Sequence, residues 1–170
     1  VQTCALPISS FAADPMAGLK PLDKPIHIKF CIFDIMGTKG DAFSYAKDLS
    51  LEAKKWGIFA ELKAYTDERI AAEDFKAGQC DAVMLTGLRG RQFNDFTGSL
   101  DSLGSIPSNK VMEKALATLA NPALASKMVQ GKYEVAGIAP AGSAYIFVKD
   151  RSINSVEKLA GKKIAVFDYD

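Results

Sequence analysis

The chain has 170 residues, 48% of them hydrophobic and 24% charged, with a formal net charge of +1. That is enough apolar material for one domain with a sizeable core, and the near-neutral balance excludes the basic footprint of a nucleic-acid or anionic-membrane binder. No apolar run approaches the roughly 20 residues of a spanning helix, so the chain is not expected to be membrane-spanning. With three cysteines, no CxxC and a single histidine, His27, a zinc site lacks its usual ligands.

Residues 1–9 (VQTCALPIS) resemble the translation of a sequencing-library adapter and are set aside from fold reasoning. Residues 10–25 read as a signal-peptide remnant and N-terminal tail, because Ser10 and Ala12 stand at the small-residue spacing that precedes a secretory cut. From Ile26 to Phe33 apolar residues alternate and then run together, the pattern of a strand buried on both faces at its end. His27, at its polar start, reads as a surface histidine. A turn-rich loop, residues 34–40, follows. Phe43, Ala46, Leu49, Ala53 and Trp56 then recur at helical spacing, and Gly57 supplies the stop.

Ile58–Tyr65 alternates again as a second strand. Thr66 and Asp67 offer a cap for a helix carrying Ile70, Ala71 and Phe75, which ends at Gly78. Residues 80–85 form a third, short apolar strand. This strand–helix order with short connections predicts an α/β fold: a parallel sheet flanked by helices, with right-handed crossovers. Residues 86–108 read as a loop and 109–120 as a helix. Asn121 caps Pro122 at the start of another helix, which Gly131 ends. Residues 133–139 and 143–148 read as strands. A short helix opens at Asn154 or Ser155 and closes at Gly161. A last strand begins in residues 162–170, and the chain is expected to be cut short at both ends.

Ligands of open parallel sheets sit beyond the carboxyl ends of the strands. Those ends place Asp34, Met36, Gly37 and Thr38 after strand one, Thr66 and Asp67 after strand two, and Thr86, Gly87 and Arg89 after strand three. Glycines admit a close ligand and helix starts present free N–H groups, so these residues form the expected wall of a polar binding cleft. Arg89, and more weakly Arg91, are placed to grip a carboxylate. Asp34 reads equally as a ligand contact or as a turn cap. Residues 37–40 (GTKG) lack the phosphate-loop pattern, no GxSxG is present, and one histidine in a strand does not make a triad. No cofactor, metal or enzyme activity is expected. Cys31 and Cys80 lie on neighbouring strands if the order is 2-1-3. Buried free thiols are the favoured reading, since pairing across adjacent strands strains disulfide geometry; an oxidising compartment would permit the bond.

Together, CIFDIMG at 31–37, EAKKWG at 52–57, YTDER at 65–69, EDFK at 73–76, GQCD at 78–81, TGLR at 86–89 and RQFN at 91–94 resemble a family of solute-binding proteins. That family is related to the periplasmic receptors of tripartite ATP-independent (TRAP) transporters. Some members carry a label as efflux-pump components linked to aminoglycoside resistance. SVEKLAGKKIAV at 155–166 is similar to the segment that opens the second lobe of type II periplasmic binding proteins. The resemblance implies a first α/β lobe over residues 26–132, hinge strands over 133–150 and the start of a truncated second lobe over 151–170. It implies an exported, periplasmic protein of a Gram-negative bacterium that captures a small polar molecule, carboxylate-bearing ones included, for membrane permease subunits. The alternatives are an α/β enzyme, or an accessory or efflux-associated protein, on the same scaffold.

Overall fold

The computed structural model describes residues 20–101, 105–140, 142, 147–163 and 165. The expectations for residues 1–19, for 143–146 and for most of the last strand fall outside these. The chain divides into two compact units, residues 1–84 and 85–170.

In the first unit three parallel strands lie in the order β2-β1-β3, with β1 Ile26–Phe33, β2 Ile58–Tyr65 and β3 Ala82–Met84. β1 is central. It pairs along its whole length with β2, from Ile26 opposite Ile58 to Phe33 opposite Tyr65, and over three residues with β3, Cys31 facing Val83. Helix α1 (Asp41–Ala53) joins β1 to β2, and helix α2 (Glu68–Lys76) joins β2 to β3. The β1-to-β2 and β2-to-β3 crossovers run in opposite directions along the sheet, and the right-handed sense of such connections puts their helices on opposite faces. The core is thin: Ile32, Ala46 and Ala71 are fully buried, and Ala72 and Tyr65 nearly so.

The local signals act as the sequence suggests. α1 tightens into a 3-10 turn over Lys54–Trp56 and stops at Gly57, whose φ of 80° suits a residue without Cβ. Leu22 donates its N–H to the carbonyl of Trp56 there, fastening the N-terminal tail to the end of the helix. α2 starts at Asp67, whose carboxylate accepts from the N–H groups of Arg69 and Ile70. The two-strand hydrophobic pattern of the sequence is thus converted into the predicted parallel α/β layer.

The cysteines depart from the expectation of free thiols: Cys31 and Cys80 are joined in a disulfide with their Cα atoms 5.9 Å apart. The objection from strand geometry does not apply, because Cys80 precedes β3 and is not a ladder partner of Cys31. It lies in the turn between α2 and β3, where the backbone is free to bring the two Cα atoms within bonding range. Cys31 is fully buried and Cys80 4% exposed.

The second unit is built from short capped pieces. Residues 86–108, expected as a loop, contain two one-turn helices, α3 (Gly87–Gly90) and α4 (Asp95–Gly98). Thr86 caps the first and Asn94 the second, each through a side-chain oxygen. Helix α5 (Asn109–Leu119) is capped by Ser108, and the segment after Asn121 is a 3-10 helix over Pro122–Met128. The strand expected over residues 133–139 is only two residues long: β4 (Val129–Gln130) and β5 (Tyr133–Glu134) form an antiparallel pair. Gly131, at φ 60°, turns the hairpin rather than ending a helix. β4 is preceded at once by the 3-10 helix, and beyond the two-residue ladder the Val135 N–H donates to the Met128 carbonyl at the end of that helix. The Gln130 carboxamide exchanges two hydrogen bonds with Asp95, and Asn94 donates to the carbonyl of Lys127, tying α4 to this hairpin.

Candidate functional site

The carboxyl end of β1 runs into a loop organised around one side chain. Asp34 is 8% exposed. One of its oxygens accepts from the Met36 N–H at 2.9 Å and the other from the Phe43 N–H at 3.1 Å, in the first turn of α1. Gly40, the residue ahead of α1, contributes no side-chain cap of its own. Asp34 supplies it from across the loop, and a Cβ on Gly40 would overlap its carboxylate. Of the two readings of Asp34, the structure shows the capping geometry. Its carboxylate favours the positive end of α1.

That anchoring exposes the tip of the loop. Ile35 and Met36 are 61% and 67% exposed. Gly37 is buried at φ 59°, and a Cβ there would lie 3.4 Å from the Thr66 methyl, so the loops after β1 and β2 touch at this glycine. Thr38 follows, exposed, in a 3-10 turn over Gly37–Lys39. Thr66 and Asp67 are exposed after β2, and Asp67 accepts at 2.8 Å from Arg69 N–H and at 3.2 Å from Ile70 N–H. Met36, Gly37, Thr38, Thr66 and Asp67 are therefore brought to one edge of the first unit. Replacing Asp67 by Ala is expected to lower stability by about 1 kcal/mol, read as a shift of the urea midpoint with unchanged slope.

Thr86, Gly87 and Arg89 belong to the second unit. Thr86 caps α3 by accepting from Arg89 N–H at 3.3 Å. A Cβ on Gly87 would overlap the Asp101 carboxylate. Arg89 is 9% exposed, whereas Arg91 is exposed. Sequence reasoning missed Gly40 and Asp101. A glycine one residue ahead of a helix that itself lacks a capping side chain is a signal for a borrowed cap; nothing local points to Asp101.

A polar cluster supports the first unit beneath α2. The Tyr65 hydroxyl donates to Asp74 at 2.5 Å, and Lys63 donates to the same oxygen at 3.2 Å. The hydroxyl also lies 3.7 Å from the Cys31 sulfur. The hydrogen bonds from Tyr65 and then Lys63 hold the Asp74 carboxyl below its usual range. Burial, then the Asp74 bond, raises the Tyr65 phenol. A carboxyl lowered on folding adds stability above its unfolded range and loses it as pH falls through the folded value. Thermal unfolding should therefore show an acid limb that Asp74→Asn flattens, checked by melting temperatures across acid pH for both proteins.

Among the described residues no helix is long and apolar enough to cross a membrane, and no His, Cys, Asp and Glu cluster is placed to hold a metal ion.

Residues 50–170 match the family described as Solute-binding protein AdeT 1/2. The chain is 55% identical over 139 residues to the Probable solute-binding protein AdeT1 of Acinetobacter baumannii, covering 82% of this chain and 46% of that protein. It is 32% identical over 69 residues to the Probable solute-binding protein AdeT2 of the same organism, covering 41% of this chain and 29% of that protein. The chain thus spans less than half the length of either relative. No solved structure matches it. The family match, over more than half of the chain, and the likeness to AdeT1 together place this chain in the AdeT 1/2 family of solute-binding proteins.

Proposed function

We propose that this chain is part of an exported protein that captures a small polar molecule at its strand-end loops and delivers it to a membrane transporter of the TRAP kind. The observation that carries the reading is the β2-β1-β3 order. Open parallel sheets receive ligands beyond the carboxyl ends of their strands, and this order brings the loops after β1 and β2 to one edge of the first unit. Met36, Gly37, Thr38, Thr66 and Asp67 face the solute from the first unit, and Asp34 holds their loop in shape.

The family name supports solute capture, and the buried disulfide supports an oxidising, periplasmic location. A receptor binds its solute only when folded, so ligand at 100 times its dissociation constant adds about 2.7 kcal/mol of stability. The full-length protein, melted in the presence of fractions of a bacterial metabolite extract, should show a saturable rise in unfolding temperature with one or a few fractions. No rise with any fraction would overturn the reading.

A further inference from the structure

We infer that helix α2 is a latched cover over the Cys31–Cys80 disulfide: a thiol reaches the bond only when α2 lifts from the sheet, and the Tyr65–Asp74 hydrogen bond holds the helix down.

Alternation along the strands puts Cys31 of β1 and Lys63 and Tyr65 of β2 on one face of the sheet. The hydrogen bonds of Lys63 and Tyr65 to Asp74 show that α2 lies over that face. The Tyr65 hydroxyl lies 3.7 Å from the Cys31 sulfur while it donates to Asp74, so the latch sits against the bond itself. Ala71 and Ala72 of the same helix are buried. Thiol–disulfide exchange needs a thiolate in contact with one of the two sulfurs. With Cys31 fully buried and Cys80 nearly so, that approach is closed while α2 is in place.

The chain around α2 lets the helix lift without the rest of the unit. Between α2 and Cys80 stands Gly78, at φ 74° and with nothing within 4 Å of where a Cβ would lie, which makes a hinge of the turn. Just past Cys80 the chain is fixed to β1 independently of α2. The Asp81 N–H donates to the Lys29 carbonyl at 2.9 Å, and the Asp81 carboxylate accepts from the Lys29 N–H at 2.7 Å. α2 has only nine residues, too few to persist as a helix by propensity alone. Its packing and its latch therefore decide how often it leaves the sheet, and such local openings cost less than global unfolding. Once it lifts, the thiolate of a dithiol reductant attacks one cysteine sulfur and the other cysteine departs as thiolate. The second thiol of the reductant then displaces the first cysteine. Two electrons and two protons pass to the cysteines, and the reductant closes as its own disulfide.

The test uses full-length oxidised protein with any free thiols blocked beforehand. Dithiothreitol is added under native conditions and in denaturing urea, new thiols are trapped by alkylation, and the Cys31 and Cys80 peptides are quantified by mass spectrometry. Native reduction is expected to be at least about a hundredfold slower than reduction in urea. Tyr65→Phe and Asp74→Ala unfasten the latch from its two sides. Each is expected to speed native reduction about tenfold, the worth of one hydrogen bond to a charged group. Ala46→Gly, at a fully buried position of α1 on the opposite face, lowers global stability and is expected to leave native reduction unchanged. Native reduction as fast as in urea, or no acceleration in either latch variant, overturns the inference. So does acceleration by Ala46→Gly in proportion to its loss of stability, because the bond is then reached through global unfolding.

Discussion

Removing the disulfide, by Cys31→Ala with Cys80→Ala or by reduction, should lower the stability of the first unit by about 2–4 kcal/mol. The bond closes a loop with a sequence separation of 49 residues, long enough for a sizeable loss of unfolded-chain entropy when it is present. The effect is large relative to what else holds this unit. Its sheet has three strands, one of them three residues long, and its fully buried side chains are few and mostly small. A core of that size leaves a small margin, which cross-links commonly supplement. At about 4–8 °C per kcal/mol for a unit of this size, the melting temperature should fall by roughly 8–32 °C. Thermal denaturation of the oxidised, reduced and doubly substituted chains measures it. Superimposed curves would show that the bond constrains nothing the fold does not already fix. Cys31 lies three residues before Asp34, so the bond also fixes the end of β1 from which the Asp34 loop leaves.

The parallel sheet was legible because each strand and helix of the first unit carries its own local marks: alternation in Ile26–Phe33 and Ile58–Tyr65, the Asp67 cap, the Gly57 stop. Those are short-range signals. Two of the misses are long-range. Whether Cys31 meets Cys80 depends on where β3 starts relative to the turn: the ladder pairs Cys31 with Val83, and Cys80 lies three residues earlier, ahead of the strand. The strand expected at 133–139 has the right residues, but its ladder with the two-residue β4 ends at Glu134, and strand length is set by the partner more than by propensity. The site shows the same division. The positions of Met36, Gly37 and Thr66 followed from strand ends. That helix N-termini are filled by Asp34 and Asp67 followed only in part: Asp67 is a local cap, whereas Asp34 reaches a helix nine residues ahead of it.

That reach makes Gly40→Ala the substitution with the most informative outcome at the site. Gly40 has φ −87° and ψ 167°, a conformation open to any residue, so backbone strain contributes nothing. The only cost is the overlap of the new methyl with the Asp34 carboxylate. Pushing that carboxylate aside breaks two charge-assisted hydrogen bonds, leaves the N–H groups of Met36 and Phe43 without it and moves a nearly buried charge. Losses of this type come to about 2–4 kcal/mol. A double-mutant cycle isolates the cause. On an Asp34→Ala background, where no carboxylate remains to be displaced, Gly40→Ala should cost less than about 0.5 kcal/mol, so the two changes are strongly non-additive. Additive costs would mean that Gly40 is required for some reason other than room for Asp34. The single variant should also loosen the loop that presents Ile35 and Met36, because that loop hangs from the Asp34 carboxylate at one end and from the Gly37–Thr66 contact at the other. Loss of the first anchor removes the preorganisation of the apolar surface before it removes the surface itself.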